Sequence, residues 1–136
     1  MMNIFNEENA ARYVLKELGL LGYKWDAKDI KYINKGRYCV VKGNPIIAIL
    51  LKDRPFMNFG HQFRKAGETG VGDTINCKEF KEFISEGVER VYTVFRDGKI
   101  YYANLIELLH NSHKWTQKEG TEVRSFSIHR YKRIEQ

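Results

Sequence analysis

RYCVVKGNPIIAILLK, residues 37–52, reads as two strands joined by a turn at Gly43-Asn44-Pro45. The first arm is YCVV, 38–41. The second, 46–51, is apolar at every position and ends on the charge of Lys52. A strand with no polar face is covered on both faces, so it belongs inside a sheet with helices on at least one side. Pro45 suits the entry to such a strand, where a missing N–H costs least. Lys52 has two readings. Its stem can lie along apolar surface with the ammonium in water, or it can be a functional cation, and the surroundings of the hairpin must choose.

On the N-terminal side, Ala11, Val14, Leu15 and Leu18 recur at helical spacing, which predicts a helix over 7–18. Asn6 is its expected N-cap, Glu7 and Glu8 suit the dipole of its first turn, and Gly19 is its expected stop. Trp25 is expected in the core, and Ile30, Tyr32 and Ile33 predict a short strand within 26–34. Lys35-Gly36 then turns into the hairpin. On the C-terminal side, 53–73 shows no periodicity and is loosened by Gly60, Gly67, Gly70 and Gly72. Loops of that length are usually functional or disordered, although Phe56, Phe59 and Phe63 predict that part of it packs down. A helix follows, with Asn76 as N-cap, Glu79 completing a capping-box pattern and Ile75 with Phe80 as a staple. Its expected buried stripe is Phe80, Phe83 and Ile84, and its stop Gly87. Two apolar runs, 91–95 and 100–103, flank Asp97-Gly98, a strong hairpin signal. A short helix over 105–110, a polar stretch over 111–120 and a last strand over 122–130 complete the expectation. Asp73 reads as a turn or capping residue.

At 136 residues, 43% hydrophobic and 29% charged, the chain predicts one domain, 1–136, with a core of ordinary size. No apolar run approaches the roughly 20 residues of a membrane span, and MMNIFNEENAARY is not a secretory signal. Cys39 and Cys77, far apart and without a CxxC, are expected as buried thiols in a reducing, cytoplasmic setting. A net charge of +6 favours an anionic partner.

The order helix, strand, hairpin, helix, hairpin resembles the PD-(D/E)xK nuclease superfamily, and within it the archaeal Holliday junction resolvases. Three stretches carry the resemblance. Residues 6–23 look like the first helix, which brings a glutamate to the site; Glu8 is the closest match and Glu7 the next. Residues 37–52 look like the strands that present an aspartate and then ExK, and 76–103 resembles the second helix and its following hairpin. The resemblance implies an α/β fold with a central mixed sheet flanked by helices, a restriction-endonuclease-like core. In such enzymes the carboxylates hold Mg²⁺, which polarises the phosphate and generates hydroxide. This sequence departs from the pattern. Lys52 stands at the lysine position, but Leu50 occupies the carboxylate position, and Tyr38 or Cys39 falls where the aspartate is expected. If the chain is nonetheless active, the resemblance leaves Lys52, Glu8 and Asp29 as catalytic candidates and Glu8, Asp29 and Glu68 as metal ligands. Asp53 and Asp73 are weaker substitutes.

Other motifs are less specific. GETGVG, 67–72, lacks the GK[ST] ending of a phosphate loop. His110 and His113 could share a helical turn, with no third ligand near. The serines sit in no nucleophile elbow. The cations Arg54, Arg64, Lys65, Lys114, Lys118, Arg124, Arg130, Lys132 and Arg133 are interleaved with Phe56, Phe59, Phe63, Trp115 and Tyr131. Cations beside aromatics suit phosphate neutralisation and base stacking; the plainer alternative is a solvated surface over ordinary core aromatics. The leading expectation is therefore a nucleic-acid-binding protein on a nuclease-like scaffold, DNA ahead of RNA, with no cofactor. The alternatives are an active Mg²⁺-dependent endodeoxyribonuclease with relocated acids, and an accessory protein whose basic surface meets an acidic protein. No membrane contact is expected, and a homodimer is left open.

Overall fold

The computed structural model describes residues 7–33, 38–52, 72–127 and 130–134. Its main sheet is built outward from the apolar hairpin. Strand β1 (Ile30–Ile33), β2 (Tyr38–Val41) and β3 (Ile47–Leu51) form an antiparallel meander, with Ile30 opposite Val41 and Val41 opposite Ile47. After a long connection, β5 (Arg90–Val94) adds parallel to β3, followed by antiparallel β6 (Ile100–Asn104) and the two-residue β9 (Lys132–Arg133). The order is β1-β2-β3-β5-β6-β9, a mixed sheet with β3 inside it.

The unbroken apolar run of β3 is explained by two covered faces. Ile47 and Ile49 join Val14, Leu15 and Leu18 of helix α1 (Glu7–Leu20) on one side. Ala48 and Leu50 face the other side, toward Phe80 and Phe83 of helix α2 (Cys77–Ser85) and Leu105 and Leu108 of helix α3 (Leu105–His110). A second sheet shares that side. Its strands are β4 (Gly72–Asn76), β8 (Glu122–Ser127) and β7 (His113–Thr116), in the order β4-β8-β7. Ile75 and Phe126 from this sheet pack into the same cluster as Phe83. The fold is α/β, with a central mixed sheet flanked by helices, as expected. No helix of the described residues is long and apolar enough to cross a membrane.

Local signals explain most element ends. The Asn76 side chain accepts from the Lys78 N–H at 2.8 Å, capping α2, and Gly87 stops it with a φ of 77°. Gly98 takes a φ of 84° in the β5–β6 turn, and the Tyr13 hydroxyl donates to its carbonyl at 2.8 Å, pinning α1 across that end of the sheet. At the other end of α1, the Tyr23 hydroxyl donates to the Pro45 carbonyl.

Several expectations are corrected. α1 runs through Gly19 to Leu20, and the left-handed residue is Gly22, with Leu18 accepting from the Tyr23 N–H. Trp25 is 36% exposed rather than core, because Asp26–Asp29 turns into a capped 3₁₀ helix (Ala27–Asp29) that offers it no covering element. Ile84 is exposed: Phe80 and Phe83 take the inward side of α2, and Ile84, one residue on, falls at the edge of that stripe toward water. Asp73 lies within β4 rather than a turn, and 111–120 contains β7. The final strand is described over Glu122–Ser127, residues 128–129 lie outside the described ones, Arg130 is not in a strand, and β9 follows separately. Asn6, the turn at 35–36 and the aromatics of 53–71 lie outside the described residues, as do Arg54, Arg64, Lys65 and Glu68.

Candidate nucleic-acid interface

Lys52 ends β3, and its backbone N–H donates to the Val94 carbonyl. Its half-buried ammonium donates to the Thr74 carbonyl of β4 at 2.6 Å. It thus ties the small sheet to the main one. Two residues earlier, Leu50 stands directly opposite Tyr38. Leu50 is 5% exposed and Tyr38 4%, and both belong to the cluster around Phe83, whose ring meets that of Tyr38 edge-on at 5.1 Å. The Tyr38 hydroxyl reaches Glu82 of α2 at 3.3 Å, and burial, with the charges of Glu82 and Glu79, pushes its pKa up. These positions do not fit a divalent ion. Leucine has no donor, the tyrosine stays protonated, and the lysine is engaged with backbone. Among the described residues, no three His, Cys, Asp or Glu side chains gather to hold a metal.

The other acidic candidates start from different places. Glu8 opens α1 at the Lys52 end of the sheet; its side chain is outside the described ones. Asp29 precedes Ile30, which pairs with Val41 and through it with Ile47, so it lies roughly 20 Å along β3 from Lys52. Its carboxylate accepts from the Asp26 N–H, closing a capping box. The structure does not bring Asp29 and Lys52 together. His110 and His113 also part company, one ending α3 and the other opening β7.

The cations of the tail are distributed, and the structure sorts them. Lys114 pairs with the Glu122 carboxylate at 2.9 Å across β7–β8. Arg124 donates to the Ser112 hydroxyl. The Trp115 indole N–H donates to the Ser125 hydroxyl on the opposite face of the same hairpin. Arg133 lies opposite Tyr101 and takes that residue's inner face of the sheet. Lys132 lies opposite Tyr102 on the other face, the one that α1 covers farther along the sheet, and there it has company.

Arg90 stands opposite Asn104, and Tyr92 opposite Tyr102, so all four share one face of the sheet; Tyr92 is buried in the cluster with α1, Tyr102 is half-buried, and Arg90 and Asn104 are exposed at the corner. The Tyr92 and Tyr102 rings stack at 5.4 Å. Arg90 is hydrogen-bonded beside Tyr92, which raises its already high pKa. Arg130, Lys132 and Glu107 of α3 close the corner into a hollow of about 250 Å³. No match to this chain is found among family models, curated proteins or solved structures. The chemistry of the hollow must therefore be read from its own residues. Arg90, Arg130 and Lys132 are all exposed, and among the described residues none of them forms a salt bridge. Lys31 and Lys42, by contrast, both bind Glu86, whose carboxyl they hold below its usual range. Arg130 and Lys132 are visible in the sequence as tail cations. Arg90 was missed, because its partners come from the register of β5 on β6 rather than from neighbouring residues.

Proposed function

We propose that this chain binds nucleic acid through its phosphates, on a scaffold of restriction-endonuclease type that lacks the usual catalytic carboxylates. Two features support the scaffold part: a helix and three-stranded meander leading through a second helix to a strand parallel with β3, and Lys52 at the end of β3. The observation that carries binding is the hollow, where three cations that have no salt-bridge partner among the described residues converge beside Tyr102. A tyrosine wall and clustered guanidinium and ammonium groups make a surface that attracts phosphate and gives it directional donors. The preference for binding over cleavage rests on Leu50 and Tyr38, which offer Mg²⁺ no anionic oxygen where the resembling enzymes hold it.

The test is anisotropy with duplex, junction and single-stranded DNA over a salt series, with Mg²⁺ and Mn²⁺ cleavage assays on the same substrates. Affinity is expected to fall with salt, by a slope of about 0.9 per phosphate neutralised on B-DNA. Arg90→Ala or Lys132→Ala is expected to flatten that slope. No cleavage is expected. Absence of any complex at low salt would remove nucleic acid as the partner, and robust metal-dependent cutting would replace this reading with a relocated catalytic site.

A further inference from the structure

The form of the hollow says more than its sign. An extended strand or duplex backbone is followed by a stripe of cations, each meeting a separate phosphate. Here Arg90, Arg130 and Lys132 line one small cavity of about 250 Å³. That is below the usual size of pockets that enclose a whole drug-like ligand. Among the described residues Glu107 is the one carboxylate lining it, so the described lining carries two net positive charges. A phosphodiester brings a single negative charge, whereas a phosphate monoester brings about 1.5 to 2 at pH 7 and exposes three acceptor oxygens. Charge and size therefore match the end of a strand better than its middle.

The remaining groups agree with that occupant. Asn104 gives its side-chain oxygen to the N–H groups of Ile106 and Glu107, at 3.0 and 3.4 Å. Its amide NH₂ is thus turned out as a donor, suited to phosphate. The Glu107 carboxylate is an acceptor suited to a sugar hydroxyl. Tyr102 already stacks on Tyr92, which fixes it as a wall of the hollow. We infer that the hollow at the β6–β9 edge receives a terminal phosphate monoester of a nucleic-acid strand, with Arg90, Arg130, Lys132 and Asn104 on the phosphate and Glu107 toward the terminal sugar. This rests on the nucleic-acid reading above and names the part of the strand that is recognised.

The experiment compares one internally labelled oligonucleotide in three forms: 5′-phosphate, 3′-phosphate, and hydroxyl at both ends. Binding is measured at fixed salt, with inorganic phosphate and a nucleoside 5′-monophosphate as competitors. Tenfold or greater preference for a phosphorylated end is expected, at whichever end it is seen. Arg130→Ala and Lys132→Ala are each expected to bring the ratio of phosphorylated to hydroxyl affinity close to one. Lys114→Ala, outside the hollow, is expected to keep it. The mononucleotide should compete more strongly than inorganic phosphate. Salt-sensitive binding of all three forms within twofold would overturn the inference and leave nucleic-acid binding standing; so would inorganic phosphate competing as well as the mononucleotide. Failure of every form to bind would sink both.

Discussion

Replacing Lys52 by methionine separates a structural lysine from a phosphate-contacting one. The methionine retains most of the apolar stem and removes the ammonium that donates to the Thr74 carbonyl at 2.6 Å. A hydrogen bond from a charged donor is worth about 1.5–3 kcal/mol net. Lys52 is half-buried, so water can take over part of that role, and a loss of about 1–2 kcal/mol is expected. In a chain of this size that corresponds to a melting temperature lower by roughly 3–8 °C. In urea, the midpoint should fall with an unchanged m-value, because the two sheets still unfold together. Lys52→Arg, which keeps a charged donor at the site, should recover part of the loss. The salt slope of nucleic-acid binding should stay that of the wild type, since the ammonium is engaged with β4. An unchanged urea midpoint combined with weakened binding or lost cleavage would refute this reasoning and return Lys52 to a phosphate.

Three further outcomes are expected. Phe83→Ala should cost about 3–5 kcal/mol in chemical denaturation, because Phe83 has no exposed surface and its ring is the edge partner of Tyr38. Cys77, half-buried, should react with a thiol reagent in the native protein well before Cys39, as mass spectrometry of the alkylated chain would show. Burial pushes the Cys39 thiol up to about 12 from its usual 9, so the unfolded chain releases this proton first; stability is complete below pH 9 and is lost as pH rises toward 12, which denaturation midpoints across that window would follow.

The parts legible in the sequence are those whose signal is local. The apolar run of β3, the Asn76 cap and the Asp97-Gly98 turn each carry their own physics, and each is found where expected. β7 was not legible, because all four of its residues are exposed and no alternation marks it. β9 has two residues, too few for any period. Cys77 was expected buried and is half-exposed, since it opens α2 rather than lying in its inward stripe. The hollow was half legible: Arg130 and Lys132 stood out as tail cations, but which face they share depends on β9 pairing with β6. Arg90 could have been found from the sequence. Once the turn at Asp97-Gly98 is accepted, antiparallel register places Arg90 opposite Asn104 and Tyr92 opposite Tyr102.

The two ends of β3 differ in the charge they can carry. At the Lys52 end, rebuilding the carboxylates of the resembling enzymes would require Tyr38→Asp with Leu50→Glu, at positions sealed in the cluster of Phe80 and Phe83. An ionised carboxylate taken out of water costs several kcal/mol. Two of them would approach the 5–15 kcal/mol that holds an ordinary domain folded. That end of the sheet is core, and its lysine serves the junction with β4. At the opposite end, Ile47 pairs with Arg90 and Arg90 with Asn104, and the strands run out into exposed, charged side chains. Polar groups cost little there because water already surrounds them, so cations can gather around a hollow without lowering the stability of the sheet. The functional surface proposed here therefore lies where the fold can carry charge, about one strand length from the site that the nuclease pattern points to.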